Sequence, residues 1–295
     1  MNANTHTIKN VSDTAFWVAS YRAIESKKEK PLFRDPLAAL LVGEHGKKVS
    51  DSMAPIAKYA YWSVTIRTCL IDESVLKYIN QGYKTIINLG AGLDTRPYRL
   101  AFPPDVRWIE IDLPEVIEFK NQKLRDQQPN CTLERICLNL SDTTERKKTF
   151  SELNNRVGSA LILTEGVIPY LTEYSVSGLA NDIKDQSNFE LWIAEYYSPE
   201  VYPRYQSAKF KGLLGDAPFQ FFPTEWFSFF EDAGWRKKEM HYLHDEAEKH
   251  NRKFPLPWWA SILRIIIGEK RMMKGMRKFS AYIVFEKIGD KYKST

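Results

Sequence analysis

The sequence predicts an α/β fold with a doubly wound sheet, mostly parallel with an antiparallel last strand, plus an N-terminal helical cap and lid insertions. The main observation is that short apolar runs alternate with helical patterns across 81–197, as in a parallel sheet with crossover helices. The first 80 residues read as helices only, and two late strand patterns lack a crossover helix between them, which favours an antiparallel pair. We expect one domain over 1–295, divided into a cap (1–80), a core (81–197), a lid insertion (198–223) and a C-terminal part of the sheet (224–295).

The N-terminal segment carries helix start and stop signals. Asp35 and Pro36 precede the apolar run LAALLVG, which predicts a helix with a capping side chain, a proline in its first turn and a closing Gly43. A second helix is predicted over 59–79, where apolar residues recur at helical spacing around Arg67.

Five strand patterns follow, and the fourth is apolar throughout, as expected for a strand buried on both faces of a parallel sheet. They lie at 85–89, 106–112, 131–138, 160–164 and 189–196. Helices are predicted between them at 114–126, 151–156 and 172–184, the last capped by Thr172. After a helix capped by Thr224, two more strand patterns lie at 235–243 and 280–287.

Composition excludes several classes of protein. Hydrophobic residues make up 43% and charged residues 27%, which rules out a disordered chain. The three cysteines have no CxxC spacing, so we predict neither a disulfide scaffold nor a metal site. We see no signal peptide and no apolar run of ~20 residues, and therefore predict a cytoplasmic protein.

The first strand ends in Gly90-Ala-Gly92, and Asp112 closes the second strand. Glycines let a backbone approach a ligand closely, and open α/β sheets bind ligands outside the carboxyl ends of their strands. A carboxylate at 112 can accept hydrogen bonds from both hydroxyls of a ribose. A dinucleotide fingerprint needs a third glycine where this chain has Thr95, and the charge of Asp94 would repel a pyrophosphate but suit a sulfonium and an amino group. The motif therefore favours S-adenosylmethionine, with a nicotinamide cofactor or a glycine turn without a ligand as alternatives.

Over roughly residues 11–198 the chain resembles the leucine carboxyl methyltransferase family and its bacterial relatives, the S-adenosylmethionine-dependent O-methyltransferases. The resemblance implies a class I methyltransferase fold, Rossmann-like, with S-adenosylmethionine as cofactor. The last third of the chain shares only the general shape. Six stretches match in order: SDTAFWVASYRAIES, LFRDPLAALLVG, YWSVTIRTCLIDE, NLGAGLDTRPYRL, WIEIDLPEVIEFK and LILTEGVIPYL.

The resemblance implies cofactor contacts for four residues within these stretches. Arg67 corresponds to an arginine that pairs with the cofactor's carboxylate, which an arginine fork suits well. Gly90 and Gly92 would line the methionine part of the cofactor, and Asp112 would hold its ribose.

Four further positions follow from the same resemblance. Asp94 and Arg96 belong to the family's GxGxDTR signature, and we interpret them as residues that shape the loop and contact the cofactor. Asn139 and Leu140 follow the third strand, where the family contacts adenine, although family members often carry an aspartate there.

Glu165 and Tyr170 are the predicted catalytic residues. Glu165 would face the cofactor's amino group or the acceptor, and Tyr170 would wall the substrate pocket or pack in the core. Methyl transfer is an in-line displacement served mostly by proximity and alignment. Because the motif region offers no histidine as a base, an acceptor carboxylate, which is already ionised, or an acceptor activated by desolvation is favoured. The acceptor stays open between a protein and a small molecule, including phenols and polyketides, and between carboxylate and hydroxyl.

Two segments leave further roles open. The lid insertion is rich in Tyr and Phe, which suits a pocket for a ring-bearing or acyl substrate as well as plain core packing. Within an insertion at 244–278, residues 251–278 carry eight basic side chains and one acidic one. That pattern fits a solvated helix covering the sheet end, or a weak contact with a membrane or an acidic carrier. A non-catalytic membrane or nucleic-acid binding module is thus a further alternative, but without an aromatic–basic RNA signature nucleic acid is disfavoured.

Overall fold

The computed structural model of the protein describes residues 11–256 and 276–289, which form seven strands and eleven α-helices. The strands are β1 (Thr85–Leu89), β2 (Arg107–Asp112), β3 (Thr132–Cys137), β4 (Ala160–Thr164), β5 (Phe189–Tyr197), β6 (Trp235–Tyr242) and β7 (Ser280–Lys287). The helices are α1 (Val11–Ser26), α2 (Pro36–Ser52), α3 (Ala57–Asn80), α4 (Arg96–Arg99), α5 (Pro114–Leu124), α6 (Thr143–Asn154), α7 (Glu173–Lys184), α8 (Tyr202–Gln206), α9 (Ala208–Leu214), α10 (Trp226–Asp232) and α11 (Leu243–Lys249).

All seven strands join one sheet in the order β3-β2-β1-β4-β5-β7-β6. The first five strands are parallel, and β7 runs antiparallel to both β5 and β6. This confirms the predicted doubly wound sheet and its antiparallel end. The register pairs Leu89 with Ile111 on one side and with Thr164 on the other, so the carboxyl ends of β1, β2 and β4 meet at one edge.

The sheet is buried on both faces because successive side chains of its central strands enter different apolar clusters. Ile87 and Ile162 lie in the cluster beneath α6 and α7, whereas Ile86 and Leu161 lie in the cluster beneath α3. Full burial of each such side chain stabilises the fold by roughly 1.5–3 kcal/mol. All five residues of β1 and all five of β4 are buried, as the apolar run of β4 predicts.

Helices α1 to α3 form the predicted N-terminal helical region. Asp35 caps α2 as predicted, since its Oδ1 accepts a hydrogen bond of 3.0 Å from the amide of Ala38. Gly43, with φ of +52°, does not end that helix but kinks it, and helical structure resumes as far as Ser52. The prediction of a closing glycine was therefore half right: the left-handed conformation is there, but the chain continues as a helix beyond it.

Two other helix boundaries differ from the predictions. Helix α6 begins eight residues before the predicted 151, with Asp142 as its cap. Its first turns are almost wholly polar, which hides the helical period. At the start of α10 no side chain caps the helix, so the prediction for Thr224 was wrong; the cap position is Glu225. The Thr172 cap of α7 is confirmed.

Within residues 11–256 and 276–289, no helix is long and apolar enough to cross a membrane. Most of the basic segment predicted at 251–278 lies outside the described residues, which stop at 256 and resume at 276. The membrane or carrier contact predicted for it stays a prediction.

Candidate active site

A cavity of about 370 Å³ opens where the carboxyl ends of the parallel strands meet. Its volume falls within the range usual for ligand pockets. Its walls come from the cap, from the loops after β1, β2, β3 and β4, and from the lid insertion. The structure brings nine of the ten predicted site residues to its lining: Arg67, Gly90, Gly92, Asp94, Asp112, Asn139, Leu140, Glu165 and Tyr170.

The loop after β1 has no room for a side chain at Gly90 and little at Gly92. Gly90 and Gly92 adopt left-handed φ values of +64° and +48°, which L-residues rarely populate. A Cβ atom added to Gly90 would lie 2.5 Å from Cγ2 of Val167, on the loop that follows β4. The two loops therefore close on each other while leaving backbone exposed to the cavity.

Asp112 ties this loop to the end of β2. Its Oδ2 accepts a hydrogen bond of 2.6 Å from the amide of Gly92, and its Oδ1 one of 2.7 Å from the amide of Leu113. Burial raises the pKa of the Asp112 carboxyl even though both amide donors favour its charged form. Each carboxylate oxygen has further acceptor capacity, which a ligand hydroxyl in the cavity can use.

The opposite side of the cavity carries an ion pair of two predicted residues. Nε of Arg67 donates to Oε1 of Glu165 over 3.0 Å. Burial opposes the charge of Glu165, but Arg96 and Arg67 outweigh it and hold the pKa of that carboxyl below its usual range. Both members are therefore charged at neutral pH, and together they present one cation and one anion to the cavity.

Arg96 differs from the other predicted residues because it does not line the cavity. It is 1% exposed, and its Nη1 lies 2.8 Å from Oε2 of Glu165 and 2.8 Å from Oδ2 of Asp94. Its Nε donates to Asp72 on α3 over 2.7 Å. Of the two roles predicted for Arg96, the geometry favours shaping the loop: it stands behind the wall and fixes two carboxylates that face the cavity.

The end of the cavity beside β3 has a neutral polar lining. Asn139 and Leu140 both line it, and Oδ1 of Asn139 accepts a hydrogen bond of 2.9 Å from the amide of Ser141. Asp142, the acid nearest in sequence, does not line the cavity and accepts hydrogen bonds from Thr144 and Glu145 at the start of α6. These two hydrogen bonds hold the Asp142 carboxylate at the start of α6 rather than in the cavity lining.

Aromatic rings form the wall on the β4 and β5 side. They pack edge to face, with ring centroids 5.1 Å apart for Tyr170 and Phe219 and 5.2 Å apart for both Tyr197 and Tyr205 and Tyr205 and Phe219. Phe210 completes the cluster 4.9 Å from Tyr205. All five residues line the cavity, so the tyrosine-rich and phenylalanine-rich lid insertion forms part of its wall as well as packing on itself.

Sequence reasoning missed three residues at or beside the site. Arg22 lines the cavity from α1, with its Nε donating to Asp35 over 2.8 Å and its Nη2 to the carbonyl of Leu93. The sequence does carry a sign of this role, since Arg22 is a charged residue among the apolar positions of the stretch SDTAFWVASYRAIES. Arg204 of α8 and Glu195 of β5 gave no such signal, because nothing local distinguishes them from surface charges.

One cluster with metal-ligand proximity lies away from this cavity. Ligand atoms of Cys69, Glu73 and His250 fall within 4.8 Å of one another. Burial and the neighbouring carboxylates raise the pKa of the Cys69 thiol to about 12, so the thiol keeps its proton at neutral pH. The predicted absence of a metal stays a prediction.

A parallel sheet with a glycine loop after β1 and a carboxylate closing β2 defines the class of nucleotide-binding α/β proteins. The sequence profile of leucine carboxyl methyltransferases matches residues 15–184, more than half of the chain. The chain belongs to the leucine carboxyl methyltransferase family.

Two curated relatives agree with this assignment. A Mycobacterium marinum protein named "Putative S-adenosyl-L-methionine-dependent methyltransferase" is 29% identical over 211 residues, covering 65% of this chain and 66% of the relative. A Streptomyces coelicolor protein of the same description is 34% identical over 185 residues, covering 59% of this chain and 64% of the relative. The matched region thus spans just under two thirds of the length of these relatives.

Solved structures share the fold across most of the chain. A DUF574 family protein from Streptomyces avermitilis superposes with a TM-score of 0.61 at 11% identity, covering 94% of this chain and all of the other. A Thermobifida fusca protein described as a "putative methyltransferase" superposes with a TM-score of 0.58 at 15% identity, covering 85% of this chain and 92% of the other. At these identities the likeness concerns the fold alone, and it confirms the predicted Rossmann-like architecture.

Proposed function

We propose that this protein is an S-adenosylmethionine-dependent methyltransferase that moves a methyl group to an oxygen of its acceptor. The observation that carries the proposal is the placement of charge across one cavity. A carboxylate with hydroxyl-accepting capacity, Asp112, stands at the end of β2, and the ion pair of Arg67 and Glu165 stands on the β4 side. Since β2 and β4 both flank β1, their ends lie about 10 Å apart. That separation suits a ligand whose ribose and zwitterionic amino acid are joined through a few atoms.

The residues present fit this ligand. Arg67 would hold the carboxylate of the methionine part and Glu165 its ammonium, exchanging their mutual contact for charge-assisted bonds to the ligand. The left-handed glycine loop leaves space that a Cβ at Gly90 would take from Val167. Asn139 and Leu140 would face the base.

A dinucleotide fits less well. The glycine loop leads into α4, which has only four residues, so no long helix directs its N-terminus at a pyrophosphate. The amide of Arg96 is taken by Oδ1 of Asp94 over 2.9 Å, and Asp94 itself lines the cavity. A carboxylate at that place repels phosphate and favours a cationic ligand.

Bound S-adenosylmethionine supplies an electrophilic methyl group on a sulfonium. The chain's part is to align the acceptor and to exclude water, because in-line displacement gains chiefly from proximity. Among the described residues that line the cavity there is no histidine, and burial raises the pKa of Tyr170 and Tyr197, which keeps both phenols protonated. An acceptor oxygen that is already ionised, such as a carboxylate, needs no base and therefore suits the site best.

Calorimetric titration with S-adenosylmethionine, and separately with a nicotinamide dinucleotide, tests the proposal. We expect micromolar binding of S-adenosylmethionine alone. Asp112→Asn should weaken it at least tenfold, since an amide offers one fewer acceptor oxygen to the ribose. Asp142→Asn is the matched control, because asparagine caps a helix as well as aspartate does and this residue does not line the cavity.

The proposal fails if folded protein, freed of co-purified ligand, binds no S-adenosylmethionine. It also fails if the dinucleotide binds more tightly, or if the two variants behave alike.

A further inference from the structure

One cationic side chain in the lining of the cavity has no ion-pair or hydrogen-bond partner among the described residues. Six charged side chains line it: Arg22, Arg67, Asp94, Asp112, Glu165 and Arg204. Arg22 pairs with Asp35 over 2.8 Å, and Arg67 with Glu165 over 3.0 Å. Asp94 pairs with Arg96, and Asp112 accepts two backbone amides. Within residues 11–256 and 276–289, Arg204 alone of the six has neither a carboxylate at ion-pair distance nor a hydrogen-bond partner.

Arg204 lines the cavity at its solvent-exposed edge, which we call its mouth, whereas the Arg67 and Glu165 side chains are only 13% and 11% exposed. It is exposed on α8, with its guanidinium 5.0 Å from the ring centroid of Tyr59. The next residue, Tyr205, packs on Tyr197 with ring centroids 5.2 Å apart, and both rings line the cavity. Two rings of the aromatic wall therefore follow Arg204 in the cavity lining.

We propose that Arg204 anchors an anionic group of the methyl acceptor, and that the acceptor is an elongated, ring-bearing or acyl small molecule whose anion lies at the end remote from the methylated oxygen. The inference rests on the proposed methyl transfer and deepens it. The rings of Tyr197, Tyr205 and Phe219 cover the apolar body of such a molecule. Its anion reaches the guanidinium at the mouth.

The chemistry of arginine supports this assignment. A guanidinium held over the face of a ring keeps its N–H groups, which point outward in the guanidinium plane, available to a planar anion. Bidentate pairing with a carboxylate then adds direction as well as charge. The cofactor does not need this cation, because its own carboxylate has Arg67.

The test uses 4-phenylbutyrate and its neutral amide, 4-phenylbutyramide, as probes of the full-length protein. The first titration measures S-adenosylhomocysteine binding to wild type and to Arg204→Gln, which should be equal. The second measures both probes with S-adenosylhomocysteine present. We expect wild type to bind the acid at least tenfold more tightly than the amide, and Arg204→Gln to lose that preference.

Two further variants sharpen the result. Arg204→Lys keeps the positive charge but loses the two parallel N–H groups of the guanidinium, and it should retain part of the preference for the acid over the amide. Lys209→Gln removes an exposed cation of α9 that does not line the cavity, and should leave the preference intact.

Equal affinity for acid and amide in wild type, failure of the acid to bind, or an unchanged preference in Arg204→Gln overturns the inference. Failure of S-adenosylhomocysteine to bind overturns the proposed function instead. The comparison of acid and amide is therefore also made without S-adenosylhomocysteine, so that it reports on Arg204 in either case.

Discussion

Glu195 is a buried carboxylate of β5 that bears on the site through backbone groups. Its Oε1 accepts hydrogen bonds from the amides of Val167 and Ile168, over 2.8 and 3.1 Å, and so fixes the loop that faces the glycine turn. Its Oε2 has no hydrogen-bond partner among the described residues. Burial raises the pKa of Glu195 to about 7, with Glu165 adding to the rise and Arg67 opposing it.

The raised pKa means that the Glu195 carboxyl binds its proton more tightly in the folded protein than in the unfolded chain. The free energy of unfolding should therefore fall as pH rises from about 4.5 through about 7. Glu195→Gln keeps the acceptor oxygen and removes the titration. Relative to that variant, we expect wild type to lose ~1–3 kcal/mol between pH 4.5 and pH 8, measured by urea unfolding. Glu231→Gln, at an exposed carboxylate, should follow the wild-type profile. Parallel profiles for wild type and Glu195→Gln would contradict the raised pKa.

At the scale of elements, the turn between β1 and α4 depends on backbone shape more than on side chains. Its glycines have positive φ, the amide of Gly92 donates to Asp112, and Gly90 lies directly against Val167 of the loop after β4. The sequence predicts the strands, the glycine motif and the acid that closes β2, because each of these is a local pattern. The start of α6 was not, because its apolar contacts depend on what lies beneath the helix.

Gly90→Ala should damage this turn in two ways. A left-handed alanine costs about 1–3 kcal/mol, and its Cβ would meet Val167 at 2.5 Å. We expect the free energy of unfolding to fall by about that amount in urea titrations, and affinity for S-adenosylmethionine to fall at least tenfold in calorimetry. Gly158→Ala provides the control, since Gly158 has no positive φ and no atom within 4 Å of its added Cβ. A Gly90→Ala protein with wild-type stability and affinity would show that the turn is not constrained as described.

At the scale of the molecule, the cavity is built by segments far apart in sequence. Arg22 of the cap donates to the carbonyl of Leu93, 71 residues away, and Arg204 enters from the lid insertion. Pattern and spacing predicted the sheet and the part of the lining formed by Gly90, Gly92, Asp94 and Asp112, because strand ends converge at a known edge, whereas the other predicted lining residues came from the family resemblance. They did not predict Arg22, Arg204 or Glu195, since those roles arise only when distant segments pack together.

Since the walls come from cap, core and lid insertion alike, we expect a cofactor to stabilise all three together. At a concentration 100 times its Kd, S-adenosylmethionine should raise the free energy of unfolding by ~2.7 kcal/mol and the Tm by roughly 5 °C or more. Hydrogen exchange should slow in α1 and in 198–223 as well as at the strand ends. Slowing confined to the strand ends would contradict a cap and a lid that close over the ligand.

The position of β7 in the sheet means that the sheet cannot be completed until late in the synthesis of the chain. β7 lies between β5 and β6 in the sheet, yet it follows both in the chain. After Tyr197, another 83 residues must be added before Ser280 is in place, which takes roughly 4–17 s at ~5–20 residues per second. During that interval the edge of β5, with Trp192 and Ile193 on it, has no strand to pair with, and β6 has no partner in the sheet. The nascent chain therefore carries an open apolar strand edge on the ribosome, the kind of edge on which aggregation starts and chaperones act.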